Sequence, residues 1–536
     1  MSTGTWHTCA TPTLNRTPMF AFLAFINGLA LMVMEMAGAR LLAPWLGTSV
    51  VVWTSIIGII LACLSLGNWF GGRLADRVLA QHSAAKKAKD AESGSAFGKA
   101  RHILSGLFSL AAFFVVLCVF FNEALLQTLA SSGMPLHGAA PLAALLLFGT
   151  PSLVCGMVSP YIARLAIYNH PAPGAVIGRL SAIATVGSIA GTFLGGFVLI
   201  SLFGSASVLL GVAACFLVAG FSLSIKKPGL KVFLLFAVVG VGYVLQLEAR
   251  ALEESGGRNI ETSYNFLKIR EATYAGRPAM VMQTDPGAYQ SACFVHAPAE
   301  LAFDYTKFYA LGTYTRPEAK RILMLGGGGY SVPKWLLAGE SGLASPNFHL
   351  DVVELDPGIT KAAEDFFSLP KDDARMTIFH EDARTFLNRQ AALPAEPYDL
   401  VFGDVFSSAY TVPFHVGTAE AAAKIHTLLA PDGLFVMNII SAIEGDKGQL
   451  LRALAASFAT VFPTVELYQV HANANPALVQ NVMLVASKTD GTPFATPHPR
   501  IFQLVSQRLS KPLATDTPAL TDDFAPVEKY TIGMTR

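Results

Sequence analysis

Glu354, Asp382 and Asp404 each stand at the end of a short apolar run. Glu354 closes His349-Leu-Asp-Val-Val-Glu-Leu-Asp356, Asp382 lies in His380-Glu-Asp-Ala-Arg384 after the next run, and Asp404 ends Tyr398-Asp-Leu-Val-Phe-Gly-Asp404. Runs of this length read as strands, and in a parallel sheet ligands collect at the carboxyl ends of the strands. An acid at the tip of the second strand suits the hydroxyls of a ribose, Asp382 can accept a hydrogen bond from an adenine amino group, and Asp404 falls nearer the reacting end. Each is also a good turn or helix-capping residue, but three acids at three successive tips point to a site.

The element that would position them is Arg321-Ile-Leu-Met-Leu-Gly-Gly-Gly-Gly-Tyr330, followed by Ser331-Val-Pro-Lys-Trp-Leu-Leu-Ala338. An apolar run, a glycine cluster and a helical pattern read as strand, tight turn and helix start, the place where a nucleotide-binding sheet receives its ligand. Glycine has no Cβ, so the backbone comes close to a ribose or a sulfonium-bearing chain and tolerates positive φ. Pro333 suits a first helical turn.

The chain of 536 residues is too long for one ordinary core, so two or more parts are expected. It is 52% hydrophobic and 14% charged, against about 25% charged for soluble proteins, which directs attention to membrane spans. The net charge of +1 argues against nucleic acid as a partner. Cysteines at 9, 63, 118, 155, 215 and 293 form no C-x-x-C pair, so neither a disulfide framework nor a metal site is indicated.

After a polar tail over 1–17, with no convincing cleavable signal peptide, apolar segments recur at about 18–40, 49–71, 101–121, 138–162, 178–202, 206–224 and 229–247. Each is near the roughly 20 residues a helix needs to cross the hydrocarbon core. The reading is a multi-pass α-helical domain over 18–247 in a cell (inner) membrane, with the lipid bilayer as partner. A loop from Gly71-Gly-Arg-Leu-Ala-Asp-Arg77 to Arg101 carries seven Lys or Arg residues, and Arg164, Lys226, Lys227 and Lys231 mark further inward loops, placing the N-terminus in the cytoplasm. Seven spans then put the C-terminal half outside, whereas six spans or a re-entrant segment would put it inside. Glu35 and Arg40 are ionisable groups on or near the first span, either functional or paired with each other and the interface. Gly187, Gly191 and Gly195 form a small-residue seam for helix packing.

A charged linker over 248–260 leads to a small β-region and gate helix over 261–318. Glu261–Ile269 and Ala279–Gln283 read as its strands, Asp285-Pro-Gly287 as a turn before Gln290, and Leu301 to Gly312 as the helix. The remainder, 319–536, carries strands near 321–325, 349–354, 376–380, 398–403, 433–439, 465–470 and 480–487 with helices between the first five. That alternation predicts an α/β Rossmann-like domain of class I methyltransferase type.

These motifs, with Leu429-Ala-Pro-Asp-Gly-Leu-Phe435, Ser263-Tyr264, Gln290 and Phe303-Asp-Tyr305, resemble the polyamine aminopropyltransferases, the spermidine/spermine synthase family, over roughly residues 260–490. Glu35–Pro44, Gly71–Arg77 and Thr521-Asp-Asp-Phe-Ala-Pro526 resemble its membrane-bound branch with a major-facilitator-like region. The resemblance implies transfer of an aminopropyl group from decarboxylated S-adenosylmethionine to a small-molecule amine, with no metal. It implies Asp404 as the base, Glu354 on the ribose, Asp382 with Ala383 on the adenine, and Gly326, Gly327 and Gly328 along the donor chain. It further implies Gln290 and Tyr305 along the donor and acceptor channel, and Tyr289 and His415 as acceptor contacts, although His415 also reads as a plain loop histidine. A homodimer is compatible with the resemblance.

Three positions depart from the family pattern. Its glycine loop, G-G-G-D-G, has Gly329 in place of the acid, the second acid of D-x-x-D is Ser407, and the Tyr-Gln pair is Tyr305-Thr306. Two other readings stay open: a methyltransferase that uses S-adenosylmethionine on a membrane-associated or exported substrate, and a transporter or sensor that binds a nucleotide without turnover.

Overall fold

The computed structural model describes residues 17–86, 93–168, 170, 172–224, 228–284, 289–393, 396–405, 413–495, 497–531 and 534, with backbone only at 17, 81–86 and 93–97. The expected tail, the turn at Asp285–Gly287, Ser407, Lys226 and Lys227 lie outside the described residues. Two compact units divide the chain, Met1–Leu42 with Val51–Glu248 and Ala43–Val50 with Ala249–Arg536.

Among the described residues seven helices, lying mainly in the first unit, are long and apolar enough to cross a membrane: α1 (Pro18–Leu46), α2 (Val50–Ala80), α3 (Gly98–Ser131), α4 (Leu136–Ala166), α5 (Pro173–Phe203), α6 (Ser205–Leu223) and α7 (Pro228–Glu254). Large apolar side chains such as Phe197, Phe233 and Phe236 point outward, the pattern of helices apolar all round. Close packing comes from glycine. A Cβ at Gly187 would lie 2.2 Å from the Phe25 carbonyl oxygen, and one at Gly191 2.3 Å from that of Leu29, so the seam on α5 admits the backbone of α1. Gly71–Arg77, expected in a loop, is helical instead. At Gly71 a Cβ would lie 2.4 Å from the Met157 carbonyl oxygen, so glycine there serves contact between α2 and α4 rather than a turn.

The second unit starts with an antiparallel sheet, β1 (Arg258–Glu261), β2 (Phe266–Tyr274), β3 (Arg277–Gln283) and β4 (Ser291–Phe294), in sequential order. Two differences from the expectation stand out here. Glu261–Ile269 is not one strand, because the Thr262 hydroxyl accepts the backbone N–H groups of Tyr264 and Asn265 and turns the chain between β1 and β2. Leu301–Gly312 is not one helix. A 3₁₀ turn over Tyr305–Tyr309, started by a bond from the Thr306 hydroxyl to the Phe303 carbonyl, runs into α8 (Ala310–Thr315).

The main sheet holds β5 (Arg321–Leu325), β6 (His349–Val353), β7 (Met376–Phe379), β8 (Tyr398–Gly403), β9 (Leu429–Ser441), β10 (Thr464–Gln469) and β11 (Gln480–Ser487), in the order β10-β11-β9-β8-β5-β6-β7. Strands β5 to β9 pair in parallel, while β11 runs antiparallel to both β9 and β10. Helices along this part of the chain include α9 (Ser331–Leu337), α10 (Pro357–Phe366), α11 (Ala383–Ala391), α12 (Ala419–Leu428) and α13 (Gln449–Ala459). Alternation along β5 feeds two cores: Ile322 and Met324 pack with Tyr309, Trp335 and Phe402, and Leu323 and Leu325 with Phe386, Phe435 and Phe458. Strand order reverses between β5 and β8, which opens a crevice at their carboxyl ends.

Candidate active site

The glycine turn sits at that crevice. Gly326 leaves β5 at φ +92° and Gly328 follows at φ +52°. The Gly326 N–H group donates to the Val353 carbonyl (2.8 Å), and the Asp404 N–H donates to the Leu325 carbonyl (2.8 Å), so the ends of β5, β6 and β8 are drawn together. A Cβ at Gly326 would lie 2.2 Å from the Asp404 carbonyl oxygen, so only glycine fits. Tyr330 also has a positive φ, +52°, and is held there by full burial and a 2.7 Å bond to the Thr360 hydroxyl.

Around the turn lies a cavity of about 310 Å³ lined by Gln290, Tyr305, Gly326 to Gly329, Glu354, Asp382, Ala383, Asp404 and His415 among others. The three expected acids therefore converge. Tyr289 does not line the cavity; it is exposed beside Arg270.

Glu354 binds the turn itself. One carboxylate oxygen accepts the N–H groups of Gly327 (2.9 Å) and Gly328 (3.2 Å), and the other accepts that of Asp356 (2.9 Å). Burial pushes its carboxyl upward, and these three bonds pull it back. Asp382 caps α11 through the Thr385 N–H (3.0 Å), meets His415 Nε2 at 3.0 Å and lines the cavity.

Asp404 accepts from the Tyr305 hydroxyl (3.0 Å) on one oxygen and from Asn438 Nδ2 (3.1 Å) on the other. It keeps a face on the cavity, yet so much protein surrounds it that its carboxyl is pushed up to about 6; the bonds from Asn438 and Tyr305 act against that rise. A carboxylate titrating there is suited to take a proton near neutral pH. Burial, then the charge of Asp404, holds Tyr305 well above the ordinary tyrosine range, so it stays a hydrogen-bond donor.

Sequence reasoning missed Asn438, Asn481 and Ser291. Asn438 is 1% exposed in the middle of β9 and accepts from Asn481 Nδ2 (2.9 Å) on β11, completing a chain that ends on Asp404. Its signal was present: one amide inside Leu434-Phe-Val-Met-Asn-Ile-Ile440 must have a polar partner. The Ser291 hydroxyl accepts the Gly329 N–H (2.8 Å), and a Cβ at Gly329 would lie 2.7 Å from the Ser291 Cβ, so this wall has no room for an acid. Among the described residues the side-chain oxygen of Gln290, which borders the cavity, is buried without a hydrogen-bond partner. Among the described residues no group of His, Cys, Asp and Glu is placed to hold a metal ion.

A largely parallel sheet with a reversed strand order, a final antiparallel strand inserted between β9 and the edge strand β10, and acids around a glycine turn define a Rossmann-like fold of the class I methyltransferase and spermidine synthase type. Within that class, the chain is similar to the polyamine aminopropyltransferase of Vibrio vulnificus (strain CMCP6), 34% identical over 142 residues, which cover 26% of this chain and 44% of that protein. It is also 31% identical over 166 residues to the N-terminal histidine N-methyltransferase of Emericella nidulans, 30% of this chain and 28% of that protein. The chain thus spans less than half the length of either relative. A probable spermidine synthase from Corynebacterium glutamicum is 21% identical and matches half of this chain and 96% of its own, with a TM-score of 0.41. No family model matches the chain.

Proposed function

We propose that this protein is a multi-pass membrane transferase, set in the cell membrane through its seven apolar helices, that moves an aminopropyl group from decarboxylated S-adenosylmethionine to an amine. The observation that carries the reading is Asp404, which faces the same cavity as the glycine turn and is gripped by Tyr305 and Asn438. Glu354 beside the turn suits the ribose, Asp382 with Ala383 the adenine edge, and Gln290 a donor group of the nucleotide. The neutral amine attacks the carbon next to sulfur. An N–C bond forms, the S–C bond breaks to leave a thioether, and the surplus ammonium proton passes to Asp404. Alignment supplies much of the rate, and the base contributes roughly 10²–10⁴-fold.

The decarboxylated donor is favoured over the intact one by the charge of the walls. No Lys or Arg is among the described residues that line the cavity. The turn's N–H groups at Gly327, Gly328 and Gly329 are already given to Glu354 and Ser291, so nothing there awaits an α-carboxylate. Methyl transfer is the competing reading, supported by the similarity to an N-methyltransferase.

The test is incubation of purified protein with either nucleotide and a panel of amines, with Asp404→Asn as control. Methylthioadenosine is expected from the decarboxylated donor. S-adenosylhomocysteine from the intact donor would establish methyl transfer instead, and absence of any thioether would leave a binding protein.

A further inference from the structure

The walls around Asp404 also restrict the acceptor. On the reading above, Glu354 serves the ribose and Asp382 the adenine edge, so both carboxylates face the nucleotide half of the cavity. Among the described residues that line the cavity, Asp404 is the remaining carboxylate, and the Tyr305 hydroxyl donates to it (3.0 Å). Beyond it the described lining includes Phe303, whose ring lies 5.9 Å from that of Tyr305, then Val405, Pro413 and Val416, all apolar. At Gly329 the contact with Ser291 leaves no room for another acid.

An alkyl diamine is doubly charged near neutral pH. When one nitrogen loses its proton to attack, the other remains an ammonium ion, and in this cavity it would lie against aromatic and aliphatic groups. A buried charge without a counter-ion is costly. An acceptor with one amino group on an uncharged hydrocarbon body attacks as the neutral amine, gives its surplus proton to Asp404 once the N–C bond has formed, and sets the body against those walls.

Resting on the aminopropyl-transfer reading above, we infer that the acceptor is a primary monoamine with an apolar body, selected against diamines by the single carboxylate beside Tyr305. The reaction balances as before: one N–C bond forms, one S–C bond breaks, and one proton goes to Asp404.

The experiment uses the full chain in detergent with decarboxylated S-adenosylmethionine, n-butylamine and 1,4-diaminobutane in parallel, and methylthioadenosine release as readout. The monoamine should show a kcat/KM at least about tenfold above the diamine, a difference of about 1.4 kcal/mol. A Phe303→Glu variant, which adds a carboxylate to the wall, should move the ratio toward the diamine by a similar factor. Equal or better use of the diamine by the unaltered protein overturns the inference while leaving aminopropyl transfer intact. No methylthioadenosine from any amine removes both.

Discussion

Asn438 on β9 places its side-chain amide 3.1 Å from Asp404 at the tip of β8, and its own carbonyl oxygen is held by Asn481 from β11. The amide donor is thereby fixed in orientation, and it stabilises the charged form of a carboxyl that burial drives the other way. Asn438→Leu removes the donor but keeps the approximate volume. The Asp404 carboxyl should then rise above its present value of about 6, and the ascending limb of kcat/KM against pH should move upward by about one unit. An unmoved limb would show that Asn438 acts on packing alone.

Asp404→Asn should lower turnover by roughly 10²–10⁴-fold while nucleotide affinity, measured by calorimetry, stays within a few-fold.

The same substitution reports on stability. The Asp404 carboxyl titrates at about 6 in the fold, above its ordinary 3.8, so the folded chain binds the extra proton between those values. The contribution is fully present below 3.8 and is lost as pH rises through about 6. At pH 7.5 the charged group therefore costs about 3 kcal/mol, which Asn at this position avoids. The variant should melt above the unaltered protein at pH 7.5, with the gap closing toward pH 4; a gap that stays constant with pH would contradict this account.

The parts of the fold legible in the sequence were those with a strong period. β5, β6, β8 and β11 are short apolar runs bounded by turn residues, and Arg321, His349, Tyr398 and Gln480 begin them where the pattern does. The seven apolar helices were legible through length alone. Boundaries set by distant contacts were not. Helix α2 runs through Gly71 because Met157 lies against it, and β1 ends where Thr262 turns the chain. Within the site, Glu354 and Asp404 stood out because strand tips are predictable places. The support behind them was not, since Asn481 reaches Asn438 only through the antiparallel pairing of β11 with β9.

Gly326 and Gly328 differ in what they tolerate. Gly326→Ala puts a Cβ 2.2 Å from the Asp404 carbonyl oxygen at φ +92°, where backbone meets backbone and nothing flexible can yield. Gly328→Ala meets only the Ser291 hydroxyl at 3.3 Å and φ +52°, a left-handed conformation that costs a side chain about 1–2 kcal/mol. The first variant should lose nucleotide binding and melt several degrees lower; the second should keep binding with a smaller shift. Equal effects would mean that the contact with Asp404 carries no weight.

Glu354 fixes the glycine turn, and on the proposed reading it also meets the ribose; a single substitution tests both. Its carboxylate accepts three backbone N–H groups, from Gly327, Gly328 and Asp356, which fix the turn before any nucleotide arrives. Glu354→Gln keeps the size but replaces one acceptor oxygen with an NH₂ group that faces N–H donors. At least one of these bonds is lost, and a hydrogen bond to a charged group contributes about 1.5–3 kcal/mol. Both the melting temperature and the nucleotide affinity should therefore fall, the affinity by at least about tenfold. If affinity falls while the melt is unchanged, the carboxylate serves the ribose only, and the glycine turn is held by its own backbone geometry.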